Sequence, residues 1–311
     1  MHRDPRAPRT APPRRQRRRA RRLVLGGLAV ALTAGCDSVS GIPGDAPESP
    51  AAQVTTPATT APSSATTAPP PAPAVPPVPA DAPPVGEVPG VPDAAPALRR
   101  WAADLTSEPI EELQSSCWTL APAHVAEMYA DAAPVLAALA RPGTATATAV
   151  SWQGPAVTVR AELRDIESGY ACPRVFATGT TPQYDDADAR HVVRRYLARF
   201  VGQPLDPADT EGEHPLVCAP TPATWDPRGT GAPLPAPLAN KPGALTGVTA
   251  FDDTELTSAW LGAGYITVRA PVTQATGATQ TRTFTLTDES ATGTGTGDAA
   301  ARGYCIGDVT P

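Results

Sequence analysis

Apolar side chains at Val192, Val193, Tyr196, Leu197, Phe200 and Val201 recur at steps of three and four residues, so residues 188–201 are predicted to form a helix with one apolar face. Asp185 and Asp186 offer N-cap oxygens ahead of it, and Gly202 with Pro204 stops it. Leu98, Trp101, Ala102 and Leu105 repeat the spacing in a shorter helix. Between Ile110 and Leu139 the pattern is again helical, with Pro122 and Pro134 expected to divide it. After that the period drops to two. Val157, Val159 and Ala161 alternate with Thr158 and Arg160, and Ile266, Val268 and Ala270 alternate with Thr267 and Arg269, as half-buried strands do. Phe284 and Leu286 lie in another such stretch. The whole reads as an α+β fold.

Five landmarks occur twice in the same order. The first set is Leu98-Arg99-Arg100-Trp101, Cys117, Trp152, Thr158-Val159-Arg160-Ala161 and Gly169-Tyr170-Ala171-Cys172. The second is Val193-Arg194-Arg195-Tyr196, Cys218, Trp260, Thr267-Val268-Arg269-Ala270 and Gly303-Tyr304-Cys305. This points to an internal duplication, with tandem helix-plus-antiparallel-sheet repeats over 97–182 and 183–311. The copies are unequal: the helices between Ala121 and Ala140 have no counterpart, and only the second copy carries the Pro/Gly-rich loop from Ala219 to Gly243. Of the three pairings open to four cysteines, only Cys117–Cys172 with Cys218–Cys305 puts one bridge at matching points of each repeat. Two free-thiol pairs for redox or metal chemistry form the other reading.

A helix packed on a curved antiparallel sheet resembles the cone-shaped fold of the nuclear transport factor and ketosteroid isomerase superfamily. The resemblance rests on element order. It implies a cone with an apolar interior, where enzymes of that superfamily set an Asp base and an oxyanion-binding pair. No residue of this chain matches a motif that would locate them.

Ahead of the repeats, composition changes the picture. Ten arginines and one acid, Asp4, fill the first 22 residues. Leu23 to Ala34 is a twelve-residue apolar run, too short for a membrane span of about 20 residues but right for a signal-peptide core. It ends in Leu32-Thr33-Ala34-Gly35-Cys36. That stretch resembles the cleavage and lipidation signal of a bacterial lipoprotein, with Thr33 departing from the usual aliphatic residue. The layout of signal, stalk and domain resembles an actinobacterial surface lipoprotein. The resemblance implies cleavage before Cys36, a diacylglyceryl and palmitate-type anchor on its thiol, and a place on the extracytoplasmic face of the cell membrane. Arg21-Arg22 before Leu23-Val24-Leu25 also matches a twin-arginine signal, so both export routes stay open.

Residues 37–96 hold 17 prolines and no aromatic side chain. Such a Pro/Ala/Thr-rich segment buries too little apolar surface to offset its ordering entropy, so a disordered stalk is expected. Loss of residues 1–36 leaves 15 basic against 30 acidic residues, a net charge of −15. A surface of that sign repels phosphate backbones, which excludes nucleic acid as a partner and leaves membrane contact to the lipid on Cys36.

Candidate chemistry is sparse. His124, His191 and His214 are far apart and not in ligand spacing, His191 is expected on a solvated helix face, and Asp185, Asp186 and Asp188 read as helix capping. His214 follows Asp209, Glu211 and Glu213 without the spacing of a calcium loop. There is no nucleophile elbow, phosphate-binding glycine loop or Ser-x-x-Lys around the single lysine, Lys241. No catalytic residue, metal or cofactor is therefore expected. Trp152 and Trp260 read as hairpin or core anchors. Trp225, Asp226 and Arg228, in a loop of one copy only, form the candidate contact region, unless the indole merely pins that loop. The expected function is display of a non-catalytic binding or scaffold domain in the cell envelope, for a protein partner or small ligand. The alternative is an enzyme or small-molecule carrier using the interior of one cone-like repeat.

Overall fold

The computed structural model describes residues 75–219, 224–288 and 303–311. The signal, Cys36 and the stalk as far as residue 74 lie outside the described residues.

Folded structure begins earlier than the expected boundary at residue 96. Val88 and Ala82 are buried, and the chain is stitched down by Gly86, whose N–H donates to Leu139 O and whose carbonyl accepts from the Trp152 indole. A side chain at Gly86 would put its first carbon 1.9 Å from Arg141 O, so only glycine lets the strap lie this close. Arg100 ties the same strap down from outside, donating to Pro76 O and Gly169 O.

Helix α1 (Ala94–Ser107) buries Ala94, Ala97, Leu98, Trp101, Ala102 and Leu105, the apolar stripe of the sequence. Three short helices follow: α2 (Ile110–Ser116), α3 (Pro122–Met128) and α4 (Ala132–Leu139). Pro122 opens α3 as expected. Pro134 does not divide anything, because it sits in the first turn of α4, where a backbone N–H has no partner within the helix to lose. Strands β1 (Thr144–Ala145), β2 (Ala149–Gln153), β3 (Val157–Glu162) and β4 (Arg174–Ala177) form an antiparallel sheet in that order, with α5 (Leu163–Glu167) between β3 and β4. Trp101, Trp152, Leu98 and Leu139 fill the core between these helices and the sheet.

Helix α6 (Asp186–Phe200) starts on a capping box: the Asp185 side chain accepts from Ala187 N and Asp188 N, and Asp188 accepts from Asp185 N. Its apolar face packs on a second antiparallel sheet, built from β5 (Val248–Phe251), β6 (Thr257–Gly262), β7 (Tyr265–Gln274), β8 (Thr279–Asp288) and β9 (Tyr304–Thr310). The order is β5-β7-β8-β9, with β6 beside the other half of the β7 edge that β5 occupies. Ile266, Val268, Phe284, Leu286 and Ile306 fill this second core. Trp260 departs from expectation. Trp152 is fully buried, whereas Trp260 lies on the edge strand β6 and stays 56% exposed, its ring 6.3 Å from that of Tyr304. The fold is thus mixed helix and antiparallel sheet, with two large hydrophobic cores and a smaller cluster of Cys218, Trp225, Ala236, Tyr265 and Cys305 inside one compact unit.

Disulfides join Cys117 to Cys172 and Cys218 to Cys305, the pairing that one bridge per half implies. The first ties the end of α2 to the approach of β4. The second clamps residues 216–218 alongside β9, where Cys218 N donates to Ile306 O and Ile306 N to Leu216 O. With partners 55 and 87 positions apart in sequence, chain entropy assigns each roughly 4 kcal/mol.

Candidate functional site

Helix α6 has two buried faces. Ala189, Val193 and Leu197 enter the second core, while Asp188, His191 and Arg195 are buried on the opposite side, towards the first half. Steps of three and four residues align those polar groups into a stripe. A buried polar stripe is the informative exception in a folded chain, and it corrects the expectation for His191. That ring is 6% exposed and its Nε2–H donates to Trp118 O, because residues 118–120 and 214–217 cover the face that solvent was expected to reach.

The stripe forms one wall of a partly enclosed cavity of about 220 Å³ between the two cores. Strand β3 and helix α5 contribute Arg160, Arg164 and Asp165, and β4 contributes Arg174. Both disulfides border it through Cys172 and Cys305. The two hydrophobic cores, where the alternative reading placed a ligand, are filled with side chains, and this partly enclosed space lies between them. Two shallower depressions, of about 410 and 290 Å³, flank α6 near Phe200 and α5 near Glu167.

Charges around the cavity are arranged in layers. Arg160 and Arg174 face each other across β3 and β4, a like-charge pairing that costs stability unless it is answered. Part of the answer is Glu162, 3.6 Å from Arg160, and Asp188, 2.5 Å from Arg174. Arg174 also lies over the Tyr184 ring, and Arg195 over Trp118. Behind Arg195, Asp209 accepts from both Arg195 and Arg199, while Glu211 accepts from Arg199 and from the N–H groups of Leu216 and Val217. These carboxylates near His214 are therefore spent on guanidinium and backbone partners rather than grouped for a cation.

Burial pushes the Asp165 carboxyl up to about 7, with Glu162 adding to the effect and Arg164 and Arg195 opposing it. Burial, with the charge of Arg195 adding to it, lowers His191 and His214 to about 4. Near neutrality the two imidazoles are uncharged, and Asp165 titrates close to that range.

One group of ligand-type atoms gathers at the edge of the cavity. His124 on α3 donates from Nδ1 to Asp188 at 3.1 Å and from Nε2 to Asp185 at 3.2 Å, and atoms of the three residues lie within 4.8 Å of one another. Asp188 Oδ1 also takes Arg174, so these groups act as a charged clasp between α3, β4 and α6. The hydrogen bond to Asp188 raises His124 to about 9, against the opposing effect of burial. His124 and Arg174 hold Asp188 low despite its burial.

In the loop singled out by sequence, the Trp225 indole is an anchor, while Arg228 stays exposed. Trp225 is 8% exposed, meets Tyr265 edge-on with ring centres 5.2 Å apart, and lies over Gly307. Asp226 turns the loop by accepting from Thr230 N and Gly231 N, and Arg228 is exposed. Sequence reasoning missed Arg160, Arg164, Asp165, Arg174 and Arg195. A usable signal was present for part of the set: Asp188, His191 and Arg195 stand at positions i, i+3 and i+7 of a helix whose apolar face lies elsewhere.

No family model matches the chain, and no curated protein or solved structure matches it.

Proposed function

We propose that this chain is an exported protein held at the outer face of the cell membrane by a lipid on Cys36, and that it displays a non-catalytic binding domain in the envelope. The observation that carries the reading is the cysteine arithmetic. Four of five cysteines are joined in two bridges, which call for an oxidising compartment, and Cys36 is the one outside them. The basic head and short apolar run before Cys36 give that leftover thiol a purpose. The domain binds through the cavity between its halves.

The tandem-repeat origin belongs to the same reading. In its favour, α1 and α6 each precede a hairpin whose second strand carries Thr-Val-Arg-Ala with Val and Ala buried, and each half holds one disulfide. The halves diverge afterwards, where α5 and β4 stand against β8 and β9.

Expression of the full chain and of Cys36→Ala in the native host tests the anchor. The wild-type chain is expected in the membrane fraction, labelled by an alkyne fatty acid, and Cys36→Ala is expected to lose both properties. An unlabelled chain that keeps its arginine head and stays in the soluble extract overturns the proposal.

A further inference from the structure

We propose that the cavity between the two cores binds a small organic anion, whose carboxylate or phosphate group is held by Arg164 together with Arg160, Arg174 and Arg195. The inference rests on the binding role proposed above and gives that role a ligand class.

Four guanidinium groups reach one cavity from β3, α5, β4 and α6. Glu162 and Asp188 answer two of them there, and Asp209 answers Arg195 from behind. Arg164 is neither hydrogen-bonded nor ion-paired to any described residue; its charge acts on Asp165 and His214 without direct contact. An arginine fork left open beside a cavity matches the two oxygens of a carboxylate or phosphate. Glu162, Arg164 and Pro215 also line the outer depression, together with Glu167 and Glu213, so Arg164 stands at the border between the two spaces.

A second feature also points to a ligand. The His191 Nδ1 atom is buried with no hydrogen-bond partner among the described residues, while Nε2–H is committed to Trp118 O. In the neutral ring Nδ1 is an acceptor, and a buried acceptor left unmatched is destabilising. A hydroxyl or amine on the ligand would satisfy it. Leu120, Val192, Tyr184 and Tyr304 supply apolar wall, so the occupant has a carbon body as well as an anionic head. The volume of about 220 Å³ lies below the roughly 300–1,000 Å³ of pockets for drug-sized molecules, which suits a small metabolite.

Asp165 makes binding depend on pH. Facing it are Glu162 of β3, Arg164 of α5, Tyr129 after α3, Arg195 of α6 and His214. As Asp165 ionises through about 7 it competes for the same guanidinium groups, so anion affinity falls with rising pH. His214 stays neutral over this range.

The test is calorimetric titration of the full chain, disulfides intact, with benzoate, phenyl phosphate, acetate and inorganic phosphate, against chloride at equal ionic strength. Benzoate or phenyl phosphate is expected to bind saturably and more tightly than acetate or inorganic phosphate, and the tighter of the two identifies the head group. Arg164→Met is expected to weaken that binding at least tenfold with an unchanged ligand-free Tm. Asp165→Asn, which keeps the shape, is expected to bind more tightly at pH 8 and to flatten the pH profile. Absence of saturable binding by all four anions, or undiminished binding in a folded Arg164→Met, overturns the proposal. Equal binding of acetate and benzoate overturns its organic part. These outcomes are independent of the Cys36 experiment, which can fail with binding intact and succeed with binding absent.

Discussion

His124 shows how one side chain holds two halves together. Its imidazolium joins Asp185 and Asp188 on α6 to helix α3. With a folded-state pKa of about 9 against 6.5, its contribution to stability is full below about pH 6.5 and is lost as pH rises through 9. Asp188, held low, gives a contribution that disappears on acidification below the usual carboxylate range. The clasp is therefore closed between those limits. Relative to wild type, His124→Gln is expected to lose about 1.5–3 kcal/mol at pH 6.5, typical for a hydrogen bond to a charged group, and the difference is expected to shrink as pH rises through 9. Thermal unfolding scanned over pH measures the difference. Trp225→Ala is expected to cost about 3 kcal/mol in denaturant unfolding, because the indole fills the space between Tyr265 and Gly307. At Gly307 itself a methyl group would lie 2.0 Å from an indole carbon, so Gly307→Ala is expected to act at the same junction.

Among elements, α6 decides what was legible. Its apolar stripe could be read directly, and its start and end fall within two residues of the expected 188–201. Strands β3 and β7 were equally readable from alternation. The cavity was hidden because its wall comes from segments far apart in sequence, and because Arg160 and Arg174 occupy positions that alternation alone assigns to solvent. A second layer covers that side of the sheet, which no periodicity within a strand can report. The early start of the fold escaped for a related reason: proline content argues against secondary structure, yet a strap needs only a few hydrogen bonds, such as those of Gly86, and a buried Val88. For the cross-links, Cys218→Ala/Cys305→Ala is expected to lower unfolding free energy by roughly 4 kcal/mol, read as a shifted denaturant midpoint.

At the scale of the molecule, charge is segregated. The chain after residue 36 carries a net −15, yet its interior gathers arginines around a small polar space. Mutual repulsion of the acidic exterior keeps such a domain soluble, while low-dielectric walls strengthen any interaction made inside. Cys172 and Cys305 both border that space, so forming each sulfur bond also fastens one of its walls. A chain still waiting in a reducing cytoplasm would carry the same arginines on loosely held surfaces. Under the export proposed above, competence would be acquired in transit, switched on by the change to an oxidising compartment.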